Sequence, residues 1–584
     1  MLIGPVFTRE LAVAPRRVRC YVARAAYPLA LLVLMATAWL VLTGTQLVRD
    51  VGDLARFGAA VFPILASLQL ALSLFFSALL AASDVAHEKD RHTLVLLLLT
   101  NLSNAELVLG KLLASLWKVL MPLAAAVPVF LLSALLGGLS YGQIARTLAV
   151  TLAAVLCAGS LGSTLALWRE KTFQALAMTV LSLVLWLAVG EIVAAGTFGQ
   201  TFGGWSCQMM AAGLSPWQAI QEATRPYLHD QPTCGPFHSP VELFLVVSIG
   251  LTLLLNLTAV AKVRTWNRTG EREQRREPPE EKDRVESASS PRPALRASES
   301  RRVWDNPVIW REIRTWAYGR RILVVRLAYG LLFGLAAVSA WTSGIGSASQ
   351  GLAAVGLLGL LSLVLVNAQA VTSLTSERDT GALDLLLVTD LTPKEIVFGK
   401  LGGVFYNTKE MVLLPMLLCV GAWAAGWLTL ECLLYLLGGL AVLYAFVAMV
   451  GLHAGMTYAN SGAAVATSLG TVFFLSVGVA VCMRIMLAFS GSFQAQFLPF
   501  FAFMVFGGAG LYAVLGARNP SPAIGLASFL CPFATFYAIT SYLLDSMLAV
   551  FLVTVAAYGF TTAAMLVPAL CEFDVATGRT TTDE

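Results

Sequence analysis

Residues 88–112 read EKDRHTLVLLLLTNLSNAELVLGKL, and residues 377–401 read ERDTGALDLLLVTDLTPKEIVFGKL. The strings align without a gap and share 13 of 25 positions. Six of the shared residues are leucines, which say little in so apolar a chain; the other seven (two Glu, one Asp, Thr, Val, Gly and Lys) say more. A charged segment embedded twice in hydrophobic sequence marks an internal duplication, which has to be settled before a fold is argued.

The duplication extends outward. GPVFTREL at 4–11 matches NPVIWREI at 306–313, and Arg24, Tyr27 and Trp39 match Arg326, Tyr329 and Trp341 at the same spacing of 302. At the charged segment the spacing is 289, so the first copy carries 13 extra residues between its first two apolar runs.

The chain has 584 residues, 58% of them hydrophobic and 12% charged, with a mean hydropathy of +0.76. Soluble globules carry about 25% charge, so this is a polytopic membrane protein. A helix needs roughly 20 apolar residues to cross a bilayer. Such runs lie near 25–47, 58–83, 112–137, 145–167, 172–195 and 241–263, and again near 322–343, 351–375, 411–427, 431–455, 462–482 and 541–567. The stretch 497–517 is also apolar, has no counterpart in the first half, and reads as a re-entrant or interfacial hairpin. The first apolar run is too long for the core of a secretory signal.

Basic residues orient the spans. Arg16, Arg17 and Arg19 precede span one; Lys89, Arg91 and Lys111 fall between spans two and three; Arg169 and Lys171 fall between four and five; Lys262, Arg264 and Arg268 follow span six. All fall on one side if the N-terminus is cytoplasmic. The net charge of +5 fits such loops and does not argue for nucleic acid. Residues 264–303, rich in mixed charge, Ser and Pro, cannot bury a core and read as a disordered cytoplasmic linker. The expected organisation is a unit at 1–263, the linker at 264–303 and a second unit at 304–584. An even number of spans in each unit makes the repeat parallel, about a pseudo-twofold axis along the membrane normal. The fold class is all-α, with two parallel six-helix repeats and about 12 spans by the bilayer-length criterion.

Within the repeated segment, Ser103–Glu106 and Thr392–Glu395 read as capping boxes, the second with Pro393 at the first helical position. Each predicts a helix running into span three. Upstream, 91–99 and 380–388 are apolar runs too short to span, and fit short interfacial helices. A plain connecting loop resting on headgroups is the alternative. Two copies sharing charges, caps and a Gly-Lys pair (Gly110-Lys111, Gly399-Lys400) favour a common docking role.

On these residues each half resembles an ABC-2 type transporter permease. Such a permease has an interfacial entry helix and six spans, with E-x-x-x-G-T-L and a downstream G-K between spans two and three. The motif falls on Glu88, His92, Thr93 and Leu94, and on Glu377, Gly381, Ala382 and Leu383; His92 replaces the Gly and Ala382 the Thr. Asp90 and Asp379 complete the charged pattern. The resemblance implies that 88–99 and 377–388 are cytoplasmic coupling helices docking to two ABC ATPase domains, alike or different. ATP and Mg would bind on those partners, and this chain would carry no cofactor, catalytic residue or metal. The resemblance further implies that Arg9-Glu10 and Arg311-Glu312 belong to entry helices. It also implies export across the cell (inner) membrane, with lipid around the spans.

Other motifs carry less. LSYGQIAR at 139–146 imitates an ATPase signature, but the chain has no phosphate-cradling G-x-x-x-x-G-K-[ST]. Cys207 and Cys234 share one polar loop and could pair if it is extracytoplasmic; with Met209, His229 and His238 they match no compact zinc spacing. LSPWQAI at 214–220 and LCPFATF at 530–536 suggest equivalent helices starting at Pro216 and Pro532. A major-facilitator-type carrier shares the span count, but uses a tight loop where about 28 residues stand here, and Glu191, Glu431, Asp545 and Lys118 form no proton relay. A non-transporting scaffold is the third class, by fold-level analogy.

Overall fold

The computed structural model describes residues 7–9, 18–45, 50–194, 201–202, 205–226, 239–267, 304–314, 322–344, 348–488, 493–518 and 520–573. Residues 264–267 of the expected linker continue a helix and a turn; the rest of it lies outside the described residues, as do Glu10, His229, Cys234 and His238.

The first half contains α1 (Val18–Thr45), α2 (Val51–Asp90), a short α3 (Thr93–Leu99), α4 (Asn104–Leu135), α5 (Tyr141–Trp168) and α6 (Thr172–Ala194). A two-residue strand pair, β1 (Thr201–Phe202) and β2 (Trp205–Ser206), leads into α7 (Cys207–Leu214), α8 (Pro216–Thr224) and α9 (Pro240–Trp266). The second half repeats the order with α10 (Pro307–Arg314), α11 (Ile322–Gly344), α12 (Ala348–Asp379), a short α13 (Ala382–Leu387), α14 (Pro393–Asn407), α15 (Lys409–Ala424) and α16 (Leu430–Thr457). Its fifth span is α17 (Ser461–Phe473), a π-helical turn at Phe474–Gly478, and α18 (Val479–Ala488). Then come α19 (Phe493–Leu515), α20 (Pro522–Leu543) and α21 (Met547–Cys571). Among the described residues, eleven helices are long and apolar enough to cross a membrane, or twelve with α14 and α15 as one span bent by 60°. The chain is an all-α polytopic membrane protein.

The halves pack alike. α2 lies along α5, and α12 along α16, at positions where small residues let backbones approach. A Cβ on Gly162 would stand 2.2 Å from the Ala78 carbonyl oxygen, and one on Gly451, 289 residues on, 2.8 Å from the Asn367 carbonyl oxygen. Between the halves, α2 meets α17 and α18 while α12 meets α6. Both charged segments lie at one end of the bundle, the elbow end.

The halves differ after span five. The stretch 497–517 is the first arm of a helical hairpin, α19–α20, whose tip reaches the elbow end. His453 Nε2 meets the Leu515 carbonyl oxygen at 2.8 Å, Tyr458 Oη donates to that of Val514 at 2.9 Å, and Arg518 donates to that of Met456 at 3.2 Å. The hairpin therefore runs the depth of its neighbours. Its second arm corrects the expectation at Pro532. That proline sits inside α20, whose start is set by Ser521, accepting from the Ile524 N–H, and by Pro522 at the first helical position. Pro216 does begin α8. Phe573, just past α21, stands beside Leu383 and Ile396, so the described chain ends at the elbow end.

Candidate functional site: the paired elbows

In each half, span two ends in an acidic–basic–acidic cluster. The chain then turns through a left-handed residue into the short helix. His92 has φ 58° and Gly381 φ 72° at equivalent positions. Only glycine takes this conformation without steric cost, which is the physical meaning of the motif's Gly and of His92 as its departure. Thr93 Oγ1 donates to the Glu88 carbonyl oxygen at 3.1 Å, a bond Ala382 cannot make.

Each charge of the triplet has a partner on a different span. Glu88 pairs with Lys111, and Glu377 Oε1 with Lys400 Nζ at 2.7 Å, tying span two to span three. Lys89 donates to the carbonyl oxygens of Leu167 (2.5 Å) and Arg169 (2.9 Å) at the end of α5. Arg378, its equivalent, donates to those of Tyr458, Gly455 and Met456 at the end of α16. In both halves a cation thus satisfies the carbonyls that a helix C-terminus leaves open. Asp90 accepts from Thr172 Oγ1 and Asp379 from Ser461 Oγ, each at 2.6 Å, at the start of span five. One triplet fastens span two to spans three, four and five.

The two elbows also touch. The Asp379 carboxylate meets His87 Nδ1 at 2.5 Å and Arg91 Nε at 3.3 Å, both from the first half. Across the pseudo-axis, Ser376 hydrogen-bonds Asp90. Arg91 has Thr380 as its equivalent, so only one side of this contact has the added cation.

Beyond the triplet, Ser103 and Thr392 accept from the N–H of Glu106 and Glu395, whose carboxylates return to the cap N–H at 3.0 and 2.8 Å. Helix α10 packs on α14, where Glu312 Oε1 reaches Lys400 Nζ at 2.6 Å and Arg311 pairs with Glu377. Lys400 is 1% exposed, a buried cation between two carboxylates, with Arg311 balancing the second. Arg9, in helical residues 7–9, is exposed. Cys207 is buried at the start of α7.

Of the residues named from the motif, Asp90, Leu94 and Leu383 and the Asp379 side chain are buried and Glu88 and Glu377 half-buried, while His92, Thr93 and Gly381 are exposed at the turn. What faces out is a row the motif omits, Val95, Leu96 and Leu99 on α3 and Asp384, Leu385 and Val388 on and just after α13. Leu99 and Val388 are 79% and 83% exposed. Their spacing signals it, since they lie one, two and five residues after the buried leucines Leu94 and Leu383, on the other side of one short turn of helix. No family model, no curated protein and no solved structure matches the chain.

Proposed function

We propose that this chain is the transmembrane permease of an ATP-driven exporter, with both half-permeases fused. Two ATPase domains on separate chains, carrying ATP and Mg, would dock on the elbows, and the catalytic residues would lie on those partners. The observation that supports this reading is the pair of elbows, in which two braced span ends touch at one end of the bundle and each leads into a short helix with exposed leucines. A loop that only needed to connect spans has no use for a brace to three other helices. Motion of either short helix is instead delivered to spans two through five together, which is what a mechanical input requires. The outward faces differ, Val95 against Asp384, which favours two unlike ATPase surfaces. The elbows in contact correspond to the closed end of the cycle; opening separates Asp379 from His87 and Arg91.

The test is a pull-down of the tagged chain in mild detergent with an ATPase assay, beside the double variant Leu96→Asp/Leu385→Asp. Two ATPase copies per chain, lost in a variant that still elutes as a single species, are expected. Wild-type chain that retains no ATPase, or a variant that retains it fully, overturns the reading and moves the carrier or scaffold ahead.

A further inference from the structure

A cavity of about 690 Å³ lies between the halves, walled by α1 and α2 of the first and by the fifth span and α19 of the second. That volume is in the range of sites for small ligands, about 300–1,000 Å³. Its lining is hydrocarbon apart from two threonines, and both hydroxyls are spent on their own helix: Thr467 donates to the Ala463 carbonyl oxygen at 2.6 Å and Thr471 to that of Thr467 at 3.0 Å. Among the described residues the lining holds no charge and no uncommitted hydroxyl proton with which to recognise an ion, a sugar or a peptide.

Three further features set this cavity apart from a packing gap. Leu29 and Phe506 line it and are 54% and 58% exposed, so it opens on the flank of the bundle, where spanning helices meet lipid. The π-helical turn at Phe474–Gly478 is in its wall, whereas the equivalent span α6 is regular α-helix; π-turns inside helices concentrate at functional sites. The wall formed by α19 belongs to a hairpin that has no counterpart of that length among the described residues of the first half.

We infer that this cavity takes the hydrocarbon chain of a membrane amphiphile, an acyl or isoprenoid tail entering from the flank. As a statement of substrate class it rests on the permease reading above; as a binding site it stands on the cavity alone. Its source would be either bilayer phospholipid or a dedicated lipid-linked cargo.

Gly510 supplies the test. It lines the cavity, and a Cβ there meets nothing within 4 Å, so the side chain of Gly510→Leu starts into open space. Gly559, equally open on α21 but outside the cavity, is the control as Gly559→Leu. The chain is reconstituted in phosphatidylcholine vesicles containing a diazirine-acyl phospholipid, photolysed, and its labelled peptides are mapped. Expected is label on 466–474 and 503–511 in wild type and Gly559→Leu, with most of it lost in Gly510→Leu. Absence of label from those segments, or equal label in Gly510→Leu, overturns the site. Displacement by excess unlabelled phospholipid assigns the occupant to the bilayer, and displacement only by a non-phospholipid extract assigns it to cargo; either supports a hydrocarbon site. No ATPase is present in this experiment, so the cavity and the docking proposal fail separately.

Discussion

Lys400→Met is the most informative single change at the elbows. In the wild type the ammonium lies 2.6 Å from Glu312, 2.7 Å from Glu377 and 3.3 Å from the Ser373 carbonyl oxygen, with 1% of its side chain exposed. Removing it strands Glu312, itself 3% exposed, with Arg311 at 3.6 Å as its remaining ion pair. Breaking a buried pair by deleting one partner costs about 3–5 kcal/mol, because the other charge stays desolvated. The equivalent Lys111 and its partner Glu88 are 15% and 21% exposed. Lys111→Met, between the exposed and buried limits, should cost about 1–2 kcal/mol. Both variants are heated in mild detergent and the surviving monodisperse fraction is read by size exclusion. Lys400→Met should melt well below Lys111→Met. The triple variant Lys400→Met/Glu312→Gln/Glu377→Gln, which removes the stranded charges, should recover most of the loss. A Lys400→Met protein as stable as wild type, or more stable than Lys111→Met, would refute the brace.

Three other outcomes check the architecture. Gly381→Ala should destabilise by about 1–2 kcal/mol from the left-handed backbone alone, since nothing lies within 4 Å of the added Cβ; thermal melting beside Gly559→Ala reads this. Gly399→Leu should lift α10, because a Cβ there would stand 2.6 Å from Val308 Cβ; Val308→Cys, buried otherwise, then becomes reactive to a water-soluble maleimide. Ala517→Cys, at the exposed hairpin tip, should be labelled from the same side of sealed vesicles as Arg91→Cys, and Ser546→Cys from the opposite side. Ala517 and Arg91 labelling from opposite sides would show that the hairpin does not reach the elbow end.

Most of the spans were legible because twenty apolar residues in a row have few other uses. The exception was α20. Its Pro532 reads as the start of a short helix before the last span, and its candidate-span hydropathy of 1.6 is the lowest of the eleven. Its hydroxyls turn inward to the backbone, Ser528 to the Ile524 carbonyl oxygen, Thr535 to that of Cys531 and Thr540 to that of Phe536. A window average charges each of them as polar; the helix does not.

The elbows are a different case. The whole of 88–99 and 377–388 reads as one docking segment, with nothing local to separate the positions that brace it from those that face out. Sharing between copies, however, selects for whatever each copy must do to fold, and a charge near a bilayer is costly unless satisfied by its own chain. Partners such as Thr172 and Ser461, 82 residues beyond Asp90 and Asp379, are invisible to any local pattern. Within one elbow the identical acids point in, while among the outward positions Val95 has become Asp384 and Leu99 has become Val388. In this duplicated chain, then, the shared acids mark the brace, while of the outward positions Leu96 and Leu385 agree and Val95 and Asp384 diverge, so any distinction between two partners would rest on the latter pair.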